Sequence, residues 1–265
     1  MSKVILLATD PELFTKSGGV ISSVAGKLGA DKYNKKAVTE DVRIQEDNVL
    51  VEFDTNPHGE FELFDSNIRR GIVYCEEAVG VVGHELALGV SSHIFSAEEL
   101  ASFHRDAFVF GCGPDFNALT GMRNAKPVAS DAGLRTAGGH IHIGYSDVIN
   151  VTSESQKVLG VMCDYFLGLP ALLLDSDDRR KELYGKAGAC RFKEYGIEYR
   201  VLSNFWIQEQ ANRAWAWEQA HKAFDTMNGD YMSLVSVVSP EDVQKVINNN
   251  DKVMAEQYVR ILGIC

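Results

Sequence analysis

Two short segments contain side chains whose types and spacing suit metal and phosphate chemistry. Residues 138–144 include His140 and His142, and residues 191–200 include Glu198 and Arg200. In an extended strand, side chains two positions apart lie on the same face. Imidazole, carboxylate and guanidinium groups on the polar face of otherwise apolar strands indicate a site for a metal ion and for anionic phosphate. We therefore expect the chemistry of an ATP-using enzyme.

Two pairs of carboxylates show the same spacing. Asp10 and Glu12 follow the first predicted strand, and Glu52 and Asp54 end the second. Oxygen ligands together with an imidazole suit Mg²⁺ or Mn²⁺ bound to nucleotide phosphates, and a sulfur-rich zinc site is not indicated. Acidic residues at strand ends can also be simple turn formers, and this alternative applies most to Asp54.

The pair His140 and His142 is by itself common chemistry. Such a pair serves zinc hydrolases, cupins and ATP-dependent enzymes, or it can be satisfied within a protein core. Here glycines flank the pair on both sides. Because glycine lets a ligand approach the backbone closely, we favour the functional interpretation.

Basic side chains precede both segments. Arginine binds phosphate or carboxylate through two parallel hydrogen bonds, so these residues are candidates for anion binding. A solvated basic loop is the alternative, particularly for Arg179 and Lys181. The candidates for binding phosphate or carboxylate are Arg135, Arg180, Lys186 and Arg191.

Three other motifs fail at a defining position. Gly26-Lys27 is followed by Leu28 and lacks the upstream glycine of a phosphate-binding P-loop. His84-Glu85 has Leu88 where a metalloprotease needs its second histidine. No Gly-x-Gly-x-x-Gly follows a predicted strand, which argues against a Rossmann dinucleotide site.

Composition sets further bounds. Apolar residues make up 45% of the 265 positions and charged residues 24%, as in ordinary globular proteins. A net charge of −11 argues against broad binding to nucleic-acid backbones. Five cysteines without a Cys-x-x-Cys pair indicate reduced thiols and a cytoplasmic location. No apolar run approaches the roughly 18–20 residues that span a bilayer, so no membrane association is expected.

The periodicity of apolar residues and the capping signals predict mixed strands and helices. Strands with one buried face, interspersed with helices, favour an α+β fold with an antiparallel sheet over a doubly wound parallel sheet. The predicted strands are 4–8 and 47–54, separated by a hairpin or loop at 16–36; the predicted helices are 66–84, 96–107, one capped at Ser153, 206–224 and 239–262.

Taken together, these residues resemble the glutamine-synthetase-like superfamily of carboxylate–amine ligases. The resemblance is strongest to its glutamate–cysteine-ligase-like branch and, within that, to a phage-encoded carboxylate–amine ligase group, type 2. It extends over roughly residues 4–206, and it rests on the order and combination of the segments 8–14, 47–53, 138–144 and 180–204. The resemblance implies a curved, mainly antiparallel sheet with helices packed on its outer face. It also implies one catalytic domain over residues 1–265, with a helical C-terminal portion from about residue 207.

The resemblance assigns roles residue by residue. Asp10, Glu12, Glu52, His140 and Glu198 match metal-binding positions of the family. His142 lies where phosphate contact is expected, Arg200 matches the arginine that faces the transferred phosphate, and Arg191 resembles an upstream phosphate-binding arginine. Arg200, Arg191 and Glu198 are accordingly the expected catalytic residues. Gly113 stands where close relatives have an acidic residue, which leaves the role of Asp115 open.

The expected activity is amide-bond formation from a carboxylate and an amine through an acyl phosphate, with ATP and Mg²⁺ or Mn²⁺. The substrates would be small molecules or peptides, and the site of action the cytoplasm, or the host cytoplasm for a phage protein. Three alternatives stay open: a guanidino-kinase-like phosphotransferase on the same fold, a metal-dependent hydrolase that uses His140 and His142, and a non-catalytic nucleotide-binding or virion protein. Neither the two substrates nor the oligomeric state, including a homo-oligomer, is fixed by the residues.

Overall fold

A large antiparallel sheet forms the centre of the computed structural model, which describes residues 4–108, 115–125 and 131–264. The strands are β1 (Leu6–Leu13), β2 (Thr15–Ser17), β3 (Val20–Ser22), β4 (Lys36–Ala37), β5 (Val42–Asp47), β6 (Leu50–Thr55), β7 (Glu85–Leu86), β8 (Ser92–Ile94), β9 (Phe116–Asn117), β10 (Leu134–Thr136), β11 (Gly139–Gly144), β12 (Ala189–Lys193) and β13 (Gly196–Tyr199). Eight strands join in the order β4-β5-β6-β1-β11-β13-β12-β9, and every pairing is antiparallel. Strands β10 and β8 pair separately, as do β3, β2 and β7.

Helices cover one face of this sheet. They are α1 (Phe61–Val81), α2 (Ala97–Ser102), α3 (Ser153–Cys163), α4 (Leu169–Leu174), α5 (Arg180–Leu183), α6 (Gln210–Asn228), α7 (Met232–Val235), α8 (Pro240–Asn248) and α9 (Lys252–Leu262). Helix α1 packs on β5 and β6, α3 packs on β12 and β13, and α6 contacts both of these helices. The predicted α+β class with a mainly antiparallel sheet is therefore confirmed.

The main core lies between the sheet and the helices. Ile141, Ile143, Ile197 and Tyr199 alternate along β11 and β13 and are fully buried there. Because side chains alternate between the two faces of a strand, the intervening polar residues of both strands point to the opposite face. Local packing is close: a Cβ at Gly71 of α1 would stand 2.3 Å from the Phe53 ring.

Two strand predictions need correction. Strand β1 does not end at Ala8 but continues through Pro11 to Leu13. Pro11 has no N–H to donate, and the ladder resumes at Glu12, whose N–H donates to the Gly138 carbonyl. The single strand predicted at 47–54 is a hairpin of β5 and β6, which turns at Asn48 in the left-handed conformation, with φ of 56°.

Several helix boundaries also differ from prediction. Helix α1 starts at Phe61 instead of Ser66, and the cap of α3 is Thr152 with Ser155 instead of Ser153 with Gln156. The Ser96–Glu99 capping box is confirmed, although α2 ends at Ser102. Residues Asn204–Ile207 form a 3₁₀ turn, so α6 begins at Gln210. The single last helix is two helices, which are separated near Asn250, where φ is 52°.

One helical stretch is an exception to the expectation that no segment is long and apolar enough to span a membrane. Residues Ser153–Leu174, which include α3, a π-helical turn at Asp164–Gly168 and α4, are long and apolar enough to cross a bilayer by length and composition. This stretch contains three charged residues, Glu154, Lys157 and Asp164, and an 18-residue window within it has a mean hydropathy of 1.6. In the structure 78% of this window is buried inside the protein, a property of core helices in soluble proteins.

The described cysteines are reduced and buried. Cys75, Cys163 and Cys190 are free thiols, whereas Cys112, Gly113 and Cys265 lie outside the described residues. Burial raises the pKa of the Cys190 thiol above its ordinary range, helped by the nearby charge of Asp164. A thiol that resists ionisation is a poor nucleophile, so Cys190 is a packing residue.

Candidate functional site

The register of the sheet brings the predicted polar residues together. Asp10 stands opposite His140, and Glu198 stands opposite His142 on one side and Arg191 on the other. At the far end of β1, Glu12 pairs with Glu52. Because all of these positions share the face that the helices leave open, their side chains converge in one cavity.

This first cavity has a volume of about 540 Å³. Val4, Leu6 and Pro57 contribute apolar lining, whereas the sheet contributes ionisable groups. The ionisable lining residues of the sheet include Asp10, Glu12, Asp47, Glu52, His140, His142, Arg191, Lys193, Glu198 and Arg200. The cavity therefore combines apolar walls with a dense polar floor, as small-molecule sites do.

A first group of ligand atoms comes from Asp10, His142 and Glu198. One atom of each lies within 4.8 Å of the others, a spacing that a single cation could bridge. His142 Nε2 lies 3.2 Å from Asp10 Oδ1, and its Nδ1 lies 2.6 Å from the Tyr195 hydroxyl. Three strands, β1, β11 and β13, thus supply one ligand atom each.

The charges of this group are strongly perturbed. Burial alone would raise the pKa of Asp10, but His142 and His140 outweigh it and hold that pKa well below its ordinary value. Burial also disfavours the charged form of His142 and would lower its pKa, but the charge of Asp10 raises that pKa overall. Burial opposes ionisation of Glu198 too, yet the Arg200 guanidinium brings its pKa down to about 2. Both carboxylates are therefore ionised at neutral pH.

A second group consists of the carboxylates of Glu12, Asp47 and Glu52, whose ligand atoms also lie within 4.8 Å of one another. Burial, reinforced by Asp47, raises the pKa of Glu12 to about 7, although the Gly138 N–H donates to its Oε2 at 2.6 Å. Burial and the charges of Asp10, Asp47 and Glu12 raise the pKa of Glu52 well above its ordinary value. Mutual repulsion of this kind is relieved when a cation binds between the groups.

Cations surround Glu198 along the neighbouring strand edge. Arg191 Nη1 lies 3.0 Å from Glu198 Oε1, Lys193 Nζ lies 2.9 Å from Oε2, and Arg200 Nη1 forms a close ion pair with Oε1. Arg200 is 6% exposed, so its charge faces the cavity from a largely desolvated position. These three cations suit an anionic ligand above the strand.

His140, which the resemblance makes a metal ligand, belongs to neither ligand group among the described residues, whereas His142, expected at the phosphate, belongs to the first. The Nδ1 of His140 lies 3.3 Å from Asp10 Oδ1 and 3.3 Å from Arg200 Nη1. Burial, and then the charge of Arg200, lower the pKa of His140 to about 4, so this imidazole is neutral at pH 7. Its position indicates that it orients Asp10 and Arg200.

The two glycines before the histidines have a different function from the one expected. A Cβ at Gly138 would stand 2.4 Å from His140 Nε2, and one at Gly139 would stand 2.6 Å from the Ser203 carbonyl oxygen and from Trp206 Nε1. These glycines therefore make room for neighbouring side chains and backbone. The role expected from the sequence was to let a ligand approach the backbone.

Two of the predicted anion-binding residues line a second, smaller cavity of about 40 Å³. Arg135 and Arg180 are each 4% exposed there, and neither lines the first cavity. Arg135 donates to Asn48 Oδ1 and to the carbonyls of Ala132 and Leu134. Lys186 is exposed and lines neither cavity, so the structure does not bring it to the site.

Sequence reasoning missed two residues of the site and left the role of a third, Asp54, open. Lys193 follows Arg191 at the same i, i+2 spacing that identified the other pairs, so this signal was present. Asp47 joins Glu12 and Glu52 only because the chain turns at Asn48, a turn that the sequence analysis did not detect. Asp54 lines the first cavity but belongs to neither ligand group, and it forms ion pairs with Lys35 and Arg43.

Comparison with known protein families gives a match to part of the chain. Residues 128–239, less than half of the 265-residue chain, match the family described as Phage phiEco32-like COOH.NH2 ligase-type 2. The matched segment contains His140, His142, Arg191, Glu198 and Arg200, whereas Asp10, Glu12 and Glu52 precede it. No significant match is found among curated proteins. The similarity supports an enzyme of the ligase type that joins a carboxylate to an amine.

Proposed function

We propose that this chain is an ATP- and Mg²⁺- or Mn²⁺-dependent carboxylate–amine ligase that forms an amide bond through an acyl phosphate. The observation that carries the proposal is the pair of ligand groups that line, together with Arg200, one cavity large enough for a nucleotide. The match over residues 128–239 supplies the reaction class.

The residues present fit divalent cations. Buried carboxylates that raise each other's pKa, as Glu12 and Glu52 do with Asp47, are stabilised by a cation between them. Five carboxylates and one imidazole are the donor set that Mg²⁺ and Mn²⁺ prefer. Asp10, His142 and Glu198 would hold one ion, and Glu12, Asp47 and Glu52 a second. Such ions, when bound, neutralise the charge of ATP phosphates and of the group in transfer.

The basic residues of the cavity would orient and stabilise the phosphate. In the first step, a carboxylate oxygen of the acid attacks the γ-phosphorus, the bond to the β,γ-bridging oxygen breaks, and ADP leaves. Arg200, with Arg191 and Lys193 beside it, faces the region where negative charge would develop in this step. In the second step, the amine nitrogen attacks the acyl carbon, inorganic phosphate leaves, and the nitrogen loses a proton. A preorganised cation in a desolvated site contributes most to such steps.

The proposal extends to the fold and the setting. We propose a glutamine-synthetase-like arrangement of the sheet around ATP, one catalytic domain over residues 1–265, and a cytoplasmic location. The hydrolase alternative requires His140 and His142 to share one metal. Within the described residues, each ligand group takes at most one of these histidines, and His140 instead contacts Arg200. This geometry favours the ligase.

Product analysis tests the proposal. The protein is incubated with Mg²⁺·ATP and a metabolite extract, and nucleotide and amide products are followed by mass spectrometry. We expect ADP and phosphate, with a new amide formed in equal amount. AMP and pyrophosphate as stoichiometric products would contradict the acyl phosphate, and a phosphorylated guanidine without an amide would indicate the phosphotransferase.

A further inference from the structure

Two residues that line the second cavity each have a buried polar atom without a hydrogen-bond partner among the described residues. Arg180 and Thr136 both line it, and neither Arg180 Nε nor Thr136 Oγ1 forms a hydrogen bond in the described part of the chain. Arg180 is 4% exposed and Thr136 is 8% exposed. Burying a polar group without a partner costs free energy, so the two atoms together point to a ligand.

Arg180 also lacks a counter-ion in contact. Its Nη1 donates to the Val201 carbonyl at 2.8 Å and its Nη2 to the Arg200 carbonyl at 3.3 Å. Both acceptors are neutral, and this guanidinium forms no ion pair with the described residues. A buried cation of this kind is stabilised when an anion reaches it.

The size and neighbours of the cavity define the anion. Its volume of about 40 Å³ is less than a tenth of that of the first cavity, so it admits a small group but not a nucleotide. Glu12, Asp47, His140 and Arg200 line both cavities, so the two cavities adjoin at these four side chains. A group bound in the second cavity therefore lies next to Arg200 and close to the first cavity.

We propose that the second cavity is the subsite for the reacting carboxylate of the acid substrate, which Arg180 and the Thr136 hydroxyl bind and orient beside Arg200. This inference rests on the proposed function, because it assigns the acid and the nucleotide to the two cavities that adjoin at Arg200. Arg180 donates through Nε and Thr136 through its hydroxyl. The planar carboxylate accepts both hydrogen bonds, and no covalent bond is made by either side chain.

Binding of formate, the smallest carboxylate, tests the subsite. Saturation-transfer NMR on the full chain gives the formate affinity without ATP and then with Mg²⁺·ATP. We expect Thr136→Val to weaken formate binding about tenfold or more, as the loss of a hydrogen bond to a charged group does. Thr136→Ser keeps the hydroxyl and should retain binding. Thr226→Val, the same chemical change on α6 away from both cavities, is the matched control.

A second variant covers the case in which Thr136→Val fails to fold. Arg180→Lys keeps the positive charge but loses the planar fork, and we expect a similar loss of formate affinity. Absence of formate binding to the wild type, equal binding by Thr136→Val, or displacement of formate by Mg²⁺·ATP would each overturn the subsite.

Failure of the subsite and failure of the proposed function have different signatures. Formate binding that depends on Thr136, together with no ADP formation under any condition, leaves the subsite intact and removes the ligase activity. ADP and amide formation whose KM for the acid is unchanged in Thr136→Val overturns the subsite and leaves the ligase activity intact.

Discussion

Arg200 is the residue on which the proposed chemistry depends most. It forms an ion pair with Glu198, contacts His140 and lines both cavities. A lysine at this position would keep one positive charge but could not bind two oxygens through a planar fork. The geometry of Arg200, more than its charge alone, should therefore decide turnover.

We predict that Arg200→Lys lowers ADP formation by about two decades or more while ATP affinity stays nearly unchanged, as for an interaction felt mainly in the transition state. ADP release and melting temperature are measured on the same variant. Arg260→Lys, an exposed arginine paired with Glu256 on α9, is the control. Near-normal turnover with a lowered melting temperature would mean that Arg200 only supports the strand.

Glu52 offers a test of metal binding that does not depend on turnover. Burial and the neighbouring carboxylates raise its pKa, so its negative charge is unfavourable without a cation, and a neutral glutamine of the same shape removes that charge. We predict that Glu52→Gln weakens Mn²⁺ binding, followed by electron paramagnetic resonance, by about tenfold or more, and that it does not lower the melting temperature in EDTA. Glu85→Gln, an exposed carboxylate paired with Lys16, is the control. Unchanged Mn²⁺ affinity would exclude Glu52 as a ligand.

At the residue scale, the sequence shows types and spacing but not partners. The i, i+2 rule correctly put His140 with His142 and Glu198 with Arg200 on one face, because pleating alone determines that. It could not show that His142 joins Asp10 and Glu198 whereas His140 contacts Arg200. Those contacts depend on the register between strands that lie far apart in sequence.

At the scale of elements, the apolar segment from α3 to α4 contains a buried acid, Asp164, that hydrogen-bonds to three neighbouring parts of the fold. Asp164 lies in the π-helical turn and accepts hydrogen bonds from the Gly188 N–H, the Tyr199 hydroxyl and Gln244 Nε2. It thereby joins the loop before β12, strand β13 and helix α8. The sequence pattern predicts one continuous helix here, because a single π-helical turn has no distinct apolar period.

The ionisation of Asp164 predicts a pH dependence of stability. Burial raises its pKa to about 6 even though three donors oppose that shift, whereas the unfolded chain titrates near 3.8. The folded state thus binds the proton more tightly, and the free energy of unfolding falls as pH rises from about 4 to about 6, by roughly 1.4 kcal/mol per pH unit.

Denaturant unfolding of the wild type and of Asp164→Asn across this pH range checks this prediction. Asparagine does not titrate. The free energy of unfolding of the wild type, minus that of the variant, should therefore fall as pH rises from about 4 to about 6 and stay constant outside that range. A difference that stays constant over that range would show that Asp164 keeps its ordinary pKa.

At the scale of the whole molecule, distant segments interleave in one sheet. Strand β1, near the start of the chain, lies between β6 and β11, and β11 pairs with β13 near residue 199. Composition and periodicity predicted the fold class because one-face-buried strands require an antiparallel sheet with a helical layer. They could not predict the strand order, since the order depends on pairings across more than 130 residues, such as Thr9 with Ile141.

Because the ligand groups come from interleaved segments, the proposed metal-dependent nucleotide binding would require the intact chain. The most direct test of the central claim is the affinity of the full chain for ATP, measured by calorimetry in Mg²⁺ and again in EDTA. Because the cavity floor is rich in carboxylates, ATP without a cation meets repulsion from Asp10, Glu52 and Glu198. We predict that affinity falls by about tenfold or more in EDTA. Equal affinity under both conditions would contradict the metal–phosphate site.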